Sequence, residues 1–184
     1  KALIRTSVLL LQNADISEHP HLLDAKNYFI FSYYTRGMNW QDMLTLTWDH
    51  IHSNRIYYRR AKTKGLLSME IEKPIQKILD YYRLLPSETK YVFPILLKDN
   101  MTPLQVYYRK ARTLKKFNQQ LQELATVVGV AEKVTSYTIR HSFATNMKQA
   151  GVATDIISEA LGHHNLQITQ SYLKDFENDV IDDA

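Results

Sequence analysis

The spacing of apolar residues is the feature that most limits what this chain can fold into. Along most of the sequence an apolar residue returns at every third or fourth position, which is the period of an amphipathic helix. Several of these segments carry their own start and stop signals. The predicted helices span residues 22–34, 41–49, 74–85, 102–129, 136–151 and 154–162, with Asn39, Ser136 and Thr154 as N-caps and a last helix capped by Asn165. The long fourth helix either continues through Phe117 or breaks there.

One segment departs from the helical pattern. Residues 56–58 and 67–71 are rich in apolar and aromatic side chains and flank a turn around Lys64-Gly65, which is typical of a β-hairpin. The chain has 184 residues, and a single folding unit usually has roughly 100–200. The sequence therefore predicts one mainly α domain with a small β-hairpin or sheet.

The composition excludes several classes of function. The chain has no cysteine, so it has no disulfide, no thiolate nucleophile and no zinc site that relies on sulfur. Its five glycines form neither of the common nucleotide-binding loops. The apolar run 7–11 ends at Gln12, far short of the roughly 18 residues of a membrane span. We expect a cytoplasmic protein with no membrane insertion and no secretory signal.

The net charge of +4 hides an asymmetry along the chain. Residues 175–184 carry five acids and no base, which leaves 23 bases against 14 acids in residues 1–174. Two blocks, 55–64 and 107–116, each hold five bases, no acid and interleaved tyrosines, a pattern that favours a polyanionic partner over a merely solvated face. The candidate nucleic-acid contacts in these blocks are Arg59, Arg60, Lys64, Arg109, Lys110 and Arg112.

Reactive side chains gather near the C-terminus. Arg140 lies in the first turn of its predicted helix among core positions, so we expect it to be half-buried and to need an anion, either a carboxylate of the domain or a phosphate. His163 follows Gly162 at a helix end, where a side chain can face a cleft. A metal site at His163-His164 is disfavoured, because adjacent residues rarely bind one ion and no third ligand stands at helical spacing.

The combined spacing of these residues carries more information than any one of them. Tyr137-x-x-Arg140, then Leu161-Gly162-His163, then Tyr172 place the histidine 23 residues after the arginine and the tyrosine nine residues later. This string resembles the catalytic signature of the tyrosine recombinases, or phage integrase family. Residues 31–51 resemble the segment with the family's first arginine, here Arg36, and 61–63 resemble its lysine turn. The sequence Arg-Gly-Met at 36–38 resembles the corresponding segment in integrases of conjugative transposons and related mobile elements.

The resemblance implies a site-specific recombination enzyme that cleaves and rejoins DNA without metal, ATP or another cofactor. Tyr172 would attack a DNA phosphorus and form a 3′-phosphotyrosyl bond. Arg36 and Arg140 would clamp the phosphate oxygens, Lys62 would protonate the leaving 5′-oxygen, and His163 would hydrogen-bond the phosphate or assist proton movement.

Three positions depart from the family pattern. Tyr137 replaces the usual histidine and cannot be a cation or a base at pH 7, so its role as a pocket residue is open. Counting back from Asp42 places the first arginine at Asn39, one helical turn from Arg36, so either register is open. Because the turn glycine is displaced to Gly65, Lys64 is an alternative to Lys62.

The resemblance also implies partners and a domain organisation. We expect double-stranded DNA as substrate, a tetramer on DNA during strand exchange, and accessory DNA-bending proteins as further partners. Residues 1–174 would be the catalytic domain, 175–184 an acidic tail that docks on a neighbouring protomer, and a preceding DNA-binding domain would be missing. The alternatives are a catalytically weakened DNA-binding module of the same fold and a type IB topoisomerase-like enzyme.

Overall fold

The computed structural model describes residues 2–163, 165–171 and 173. Its helices and strands are, in chain order, α1 (Arg5–Gln12), α2 (Leu23–Tyr34), α3 (Trp40–Leu44), β1 (Ile51–His52), β2 (Arg55–Arg59), β3 (Leu66–Glu70), α4 (Lys73–Leu84), α5 (Pro103–Val127), α6 (Ser136–Gln149) and α7 (Thr154–Ala160). Residues 166–171 are also helical. The predicted class, mainly α with one small sheet, is confirmed. Tyr172, His164 and the acidic segment 175–184 lie outside the described residues.

Helix α2 lies at the centre of the domain. It packs against α1, α4, α5 and α6, and its side chains from Ala25 to Ser32 are buried on several sides. A helix that is apolar around most of its circumference is stable only when other elements cover it, which explains its central position. Phe29 and Phe31 are almost completely inaccessible, and Tyr28 lies among Trp40, Phe93 and Phe117 in an aromatic cluster.

The three strands form one antiparallel sheet in the order β1, β2, β3. In the hairpin Ile56 faces Met69 and Tyr58 faces Leu67 across the two strands. The turn that follows β2 is closed by two hydrogen bonds, from the Arg60 amide to the Gly65 carbonyl (2.9 Å) and from the Lys64 amide to the Arg60 carbonyl (2.8 Å). Residues 61–64, called here the lysine turn, are thereby held at one end of the sheet.

Helix α3 is shorter than the periodicity predicts, and the predicted span 41–49 is wrong beyond Leu44. The Thr45 hydroxyl bonds back to the Gln41 carbonyl (3.1 Å), and Thr47 pairs with Tyr91 in an isolated β-bridge. Threonine side chains compete with the helix for backbone groups, so the chain leaves the helix here. The predicted N-cap is confirmed, since the Asn39 side chain accepts from the Asp42 amide at 2.9 Å.

The other helices follow the prediction with small corrections at their first residues. Helix α5 begins with a Thr102 capping box and runs unbroken through Phe117. The N-cap of α6 is Thr135 rather than Ser136, and that of α7 is Ala153 rather than Thr154. Helix α1 was not predicted. Within the described residues, no helix is both long and apolar enough to cross a bilayer.

Candidate active site

Arg140 is the buried centre of the candidate site. It lies in the second turn of α6, and its side chain is only 6% exposed. One terminal nitrogen donates to the Gly37 carbonyl at 2.9 Å, and the other donates to the Leu161 carbonyl and lies 3.1 Å from His163 Nε2. The arginine is thus more deeply buried than the sequence predicts, and backbone carbonyls are among the groups that hold it.

His163 lies directly after α7, in the segment 161–163 that we call the LGH loop. The loop is fixed by the left-handed conformation of Gly162 (φ 63°) and by the His163 amide, which donates to the Ser158 carbonyl at 3.0 Å. The ring contacts Arg140 through Nε2 and the Thr169 hydroxyl through Nδ1 (2.8 Å). Because arginine can only donate, Nε2 is the acceptor and the proton lies on Nδ1.

The surroundings of His163 favour the neutral ring. Burial, with the positive charges of Arg140, Arg60 and Lys62, lowers the pKa of His163 to about 4. At neutral pH the imidazole therefore bonds as a neutral group.

This pKa shift predicts a pH dependence of stability. The unfolded state binds a proton at His163 below about pH 6.5 while the folded state resists it down to about pH 4, so the unfolding free energy should fall as the pH drops through this window. Denaturant titrations of the protein and His163→Gln between these pH values would measure the effect. Asp42 contributes with the opposite sign, because burial raises its pKa, but it is present in both proteins and cancels. Equal slopes for the two proteins would contradict the prediction.

Gly37 permits the close approach of the loop after α2 to Arg140. Its φ is 69°, and a Cβ atom placed on it would lie 2.7 Å from the Arg140 Cα and 2.8 Å from Cγ. Only a residue without a side chain allows the Gly37 carbonyl to reach the guanidinium at this distance. Gly37 was not predicted as a site residue. Its position directly after Arg36 was the feature of the sequence that could have indicated it.

Arg36 and Asn39 differ in what their side chains do. Asn39 is engaged as the N-cap of α3. Arg36 is half-buried in a left-handed conformation (φ 59°), and its charge, like those of Arg140 and Arg60, opposes the rise that burial causes in the pKa of Tyr58. Arg36 therefore lies within electrostatic range of the same pocket.

The lysine turn brings Lys62 and Arg60 to the site. Lys62 is exposed, and its charge acts on His163. Lys64 is exposed too, in a left-handed conformation (φ 59°) that supports the turn. The sequence places Arg60 among the basic surface contacts, but it is only 6% exposed and donates to the carbonyls of Leu161 (3.1 Å) and Gly162 (2.9 Å).

Asp42 is a buried carboxylate beside these cations. One of its oxygens accepts from the Ala61 amide at 2.9 Å, which ties α3 to the lysine turn. Burial raises the pKa of Asp42, while the Ala61 amide and the charges of Arg60 and Arg140 oppose the rise. In the sequence analysis Asp42 served only as the reference position for locating the first arginine, and no role in the site was predicted for it.

The remaining predicted residues lie at the surface. Tyr137 is 64% exposed at the start of α6, with its ring stacked on His141 at 6.3 Å. Arg59 is exposed and donates to the Lys64 carbonyl at 2.8 Å. On α5, Arg112 is exposed, Lys110 and Arg109 are half-buried, and Arg109 donates to the Ile95 carbonyl at 2.7 Å. Tyr107 and Tyr108, beside them, are 61% and 59% exposed.

The arrangement can bind and polarise an anion. Among the described residues, no carboxylate lies within salt-bridge distance of Arg36, Arg60 or Lys62. The guanidinium groups of Arg140 and Arg60 are held in place by hydrogen bonds to backbone carbonyls rather than left to free side-chain rotation. Such preorganised positive charge is suited to stabilise negative charge that develops on phosphate oxygens. Within the same residues no group of three or more acidic or histidine side chains is arranged around a metal position.

Solved structures share this architecture. The XerA recombinase superposes with a TM-score of 0.68 at 20% identity, covering 94% of this chain and 59% of that one. The catalytic domain of the bacteriophage HP1 integrase gives 0.59 at 20% identity, with 94% and 86% covered. The Tn1549 transposon integrase in complex with a circular intermediate DNA gives 0.59 at 17% identity, with 94% and 60% covered. The fold is that of tyrosine recombinase catalytic domains.

Sequence relatives define the family. The model of the phage integrase family matches residues 7–179, so the chain belongs to that family. Tyrosine recombinase XerC of Rickettsia bellii (strain OSU 85-389) is 28% identical over 144 residues, which cover 77% of this chain and 44% of the relative. XerC of Rickettsia typhi is 27% identical over 139 residues, covering 76% and 43%. The chain spans less than half the length of these curated relatives.

Proposed function

We propose that this chain is the catalytic domain of a site-specific recombinase that cuts and rejoins double-stranded DNA through a 3′-phosphotyrosyl intermediate. The observation that carries the proposal is the contact of the buried Arg140 guanidinium with neutral His163, with Lys62 and Arg36 in electrostatic range of the same pocket. The Tn1549 integrase, which has the same fold and was solved in complex with DNA, supports DNA as the substrate class. The protein would act in the cytoplasm.

In this mechanism the phenol of Tyr172 releases its proton to solvent as its oxygen attacks the phosphorus, and the bond from phosphorus to the 5′-oxygen breaks. Arg140 and Arg36 stabilise the charge on the non-bridging oxygens. Lys62 gives its proton to the departing 5′-oxygen. The phosphotyrosine keeps the energy of the broken bond, so attack by a second 5′-hydroxyl reverses the step and rejoins the strands.

His163 has a positioning and hydrogen-bonding role at neutral pH. Its Nε2 accepts from Arg140, and its Nδ1 donates to Thr169. The ring therefore orients the guanidinium towards the phosphate site. With its pKa lowered to about 4, it is a poor proton donor at pH 7.

The charges favour Lys62 over Lys64 as the general acid. Lys62 acts on His163, while the Lys64 backbone completes the turn. We expect Lys62→Ala to slow strand cleavage by about 10²-fold, the lower end of what general acid catalysis contributes, and Lys64→Ala to have a much smaller effect. A substrate with sulfur at the bridging 5′ position tests the role, since a thiolate departs without a proton. If the sulfur substrate restores the cleavage rate of Lys64→Ala but not that of Lys62→Ala, Lys64 is the general acid.

The two registers of the first arginine are also separable. Asn39→Ala removes a helix cap and should lower the unfolding free energy by about 1 kcal/mol with little effect on cleavage. Arg36→Ala should leave stability nearly unchanged and slow cleavage on the order of 10²-fold, because one charged contact to the transition state is lost. Denaturant unfolding and single-turnover cleavage measure the two effects. If cleavage is slow in Asn39→Ala and unchanged in Arg36→Ala, the phosphate contact lies at Asn39 instead.

Covalent trapping tests the proposed function. The protein is incubated with a pool of nicked duplexes of randomised sequence, in which a short fragment is lost after cleavage, and adducts are recovered under denaturing conditions. We expect an adduct whose mapped peptide carries the nucleotide on Tyr172, and sequencing of the trapped DNA gives the site. Duplex binding without any adduct would favour the weakened DNA-binding module. An adduct with relaxation of supercoiled plasmid but no recombinant product would favour the topoisomerase-like enzyme.

The domain organisation and assembly are part of the same proposal. Residues 1–174 would form the catalytic body, and the exposed bases Arg59, Lys64 and Arg112 would contact DNA phosphates, as would the half-buried Lys110 and Arg109. The acidic segment 175–184, outside the described residues, would dock on a neighbouring protomer in a tetramer on DNA. Accessory DNA-bending proteins would assist where the site must be bent.

A further inference from the structure

Arg60 has a different environment from the other bases of its block. It follows β2 directly, and its backbone amide and carbonyl close the lysine turn through Gly65 and Lys64. Its side chain is turned inward, at 6% exposure, and spans to the carbonyls of Leu161 and Gly162. One residue thus fixes both the base of the lysine turn and the distance from that turn to the LGH loop.

The LGH loop is the rigid side of this contact. Its carbonyl at Leu161 also accepts from Arg140, so two guanidinium groups share one oxygen and use both of its lone pairs. The loop is closed independently by the His163 amide on Ser158 and by the His163 ring on Thr169. We therefore expect the loop to keep its conformation when Arg60 is replaced.

The lysine turn is the dependent side. Besides the Arg60 bonds, the contacts described for it include the Ala61 amide, which donates to the Asp42 carboxylate (2.9 Å), and the Thr63 hydroxyl, which donates to the Gly162 carbonyl at the longer distance of 3.5 Å. Lys62 itself is exposed. Of the described links from the turn to the LGH loop, the paired hydrogen bonds of Arg60 are the shorter ones, and they constrain where the Lys62 ammonium can reach.

A buried arginine is costly unless its donors are satisfied and its charge is balanced. Here two carbonyls accept from it and the buried Asp42 carboxylate acts on it at longer range. Both hydrogen bonds come from one terminal nitrogen of Arg60, Nη1. A lysine in this position would keep the charge, but its ammonium lies at the end of a shorter side chain, so it would reach the two carbonyls only if the lysine turn shifted relative to the LGH loop.

We propose that Arg60 is a positioning residue, which holds the lysine turn against the LGH loop so that Lys62 lies at the leaving 5′-oxygen. This inference rests on the proposed function and deepens it. It replaces a direct DNA contact of Arg60 with a role that acts through Lys62.

The test compares Arg60→Lys with Arg55→Lys, a control that changes the arginine at the far end of strand β2, where its side chain donates to the Ser68 hydroxyl. Single-turnover cleavage is measured on a duplex from the trapped pool and on the same duplex with sulfur at the bridging 5′ position. We expect Arg60→Lys to bind DNA like the unmodified protein and to cleave the oxygen substrate about 10²-fold more slowly, as for a misplacement near 1 Å. On the sulfur substrate most of this loss should disappear, as for Lys62→Ala.

The outcomes separate the proposed function from the role of Arg60. If the unmodified protein forms no adduct with any duplex, the proposed function fails and this inference with it. If it forms the adduct, a rate for Arg60→Lys equal to that of the unmodified protein overturns the inference alone. An equal loss on both substrates also overturns it, because the defect then lies outside proton donation. Arg60→Gln is measured in the same cleavage assays. Thermal unfolding of Arg60→Lys and Arg60→Gln shows whether each cleavage rate is measured on folded protein.

Discussion

Replacing Arg140 by lysine is expected to reduce formation of the covalent DNA adduct by about 10³-fold or more, which is the scale at which an arginine contributes to phosphoryl transfer. The lysine keeps one positive charge, but it cannot donate to the Gly37 and Leu161 carbonyls and to His163 from a single planar group. The ammonium would be drawn to one carbonyl, and the His163 ring would lose its donor. Single-turnover cleavage of a nicked duplex measures the loss.

The same substitution has a structural cost that must be measured separately. Buried carbonyls left without a donor destabilise a protein by about 1–3 kcal/mol each, so Arg140→Lys should also unfold at lower denaturant concentration. Arg83→Lys is the matched control, since Arg83 lies on the surface of α4 over the Trp48 ring at 4.6 Å and should change neither quantity appreciably. A folded Arg140→Lys protein that cleaves at the unmodified rate would remove Arg140 from the mechanism.

Much of the fold could be predicted because the longer helices carry strong local signals. Pro74 and the Thr102-Pro103 pair mark helix starts through chemistry that needs no tertiary contact, and α4 and α5 begin where those signals predict. Helix α3 could not be bounded in this way. Beyond the local Thr45 contact, the path of the chain after its end depends on Thr47 pairing with Tyr91, which is 44 residues away in sequence, and periodicity contains no information on such a pairing.

The candidate site was predictable to the extent that it consists of side chains at fixed spacing. The resemblance of the interval from Arg140 to His163 to the family signature predicts a common site, and the structure brings the two side chains to 3.1 Å. The partners of Arg140 were not predictable, because the Leu161 carbonyl is a backbone group that every residue possesses. Arg60 was misplaced for a related reason, since a run of bases indicates charge but not which member turns inward.

The second large effect is expected at Gly37, where a single methyl group would disturb the site. In Gly37→Ala the new Cβ would overlap the Arg140 Cα, Cβ and Cγ atoms, which lie at 2.7 to 2.9 Å from its position. The first two of these atoms belong to or adjoin the backbone of α6, so the loop after α2 must retreat and withdraw the Gly37 carbonyl from the guanidinium. Overpacking of this kind costs about 1–3 kcal/mol, in addition to about 1–2 kcal/mol for an L residue in the left-handed region.

The cost of overpacking and the cost of the left-handed backbone can be separated with a second glycine, which has a positive φ but no neighbouring atoms at the Cβ position. Gly129 has a φ of 75°, and no atom lies within 4 Å of the position that a methyl group would take there, so Gly129→Ala should lose only the backbone contribution and keep its cleavage rate. Gly37→Ala should lose more unfolding free energy and, because Arg140 is displaced, cleave on the order of 10²-fold more slowly. Equal stability losses and equal cleavage rates for the two variants would mean that the loop yields without moving Arg140. A slower Gly37→Ala enzyme with unchanged DNA binding would instead show that the position of Arg140, set by a neighbouring backbone carbonyl, limits the reaction.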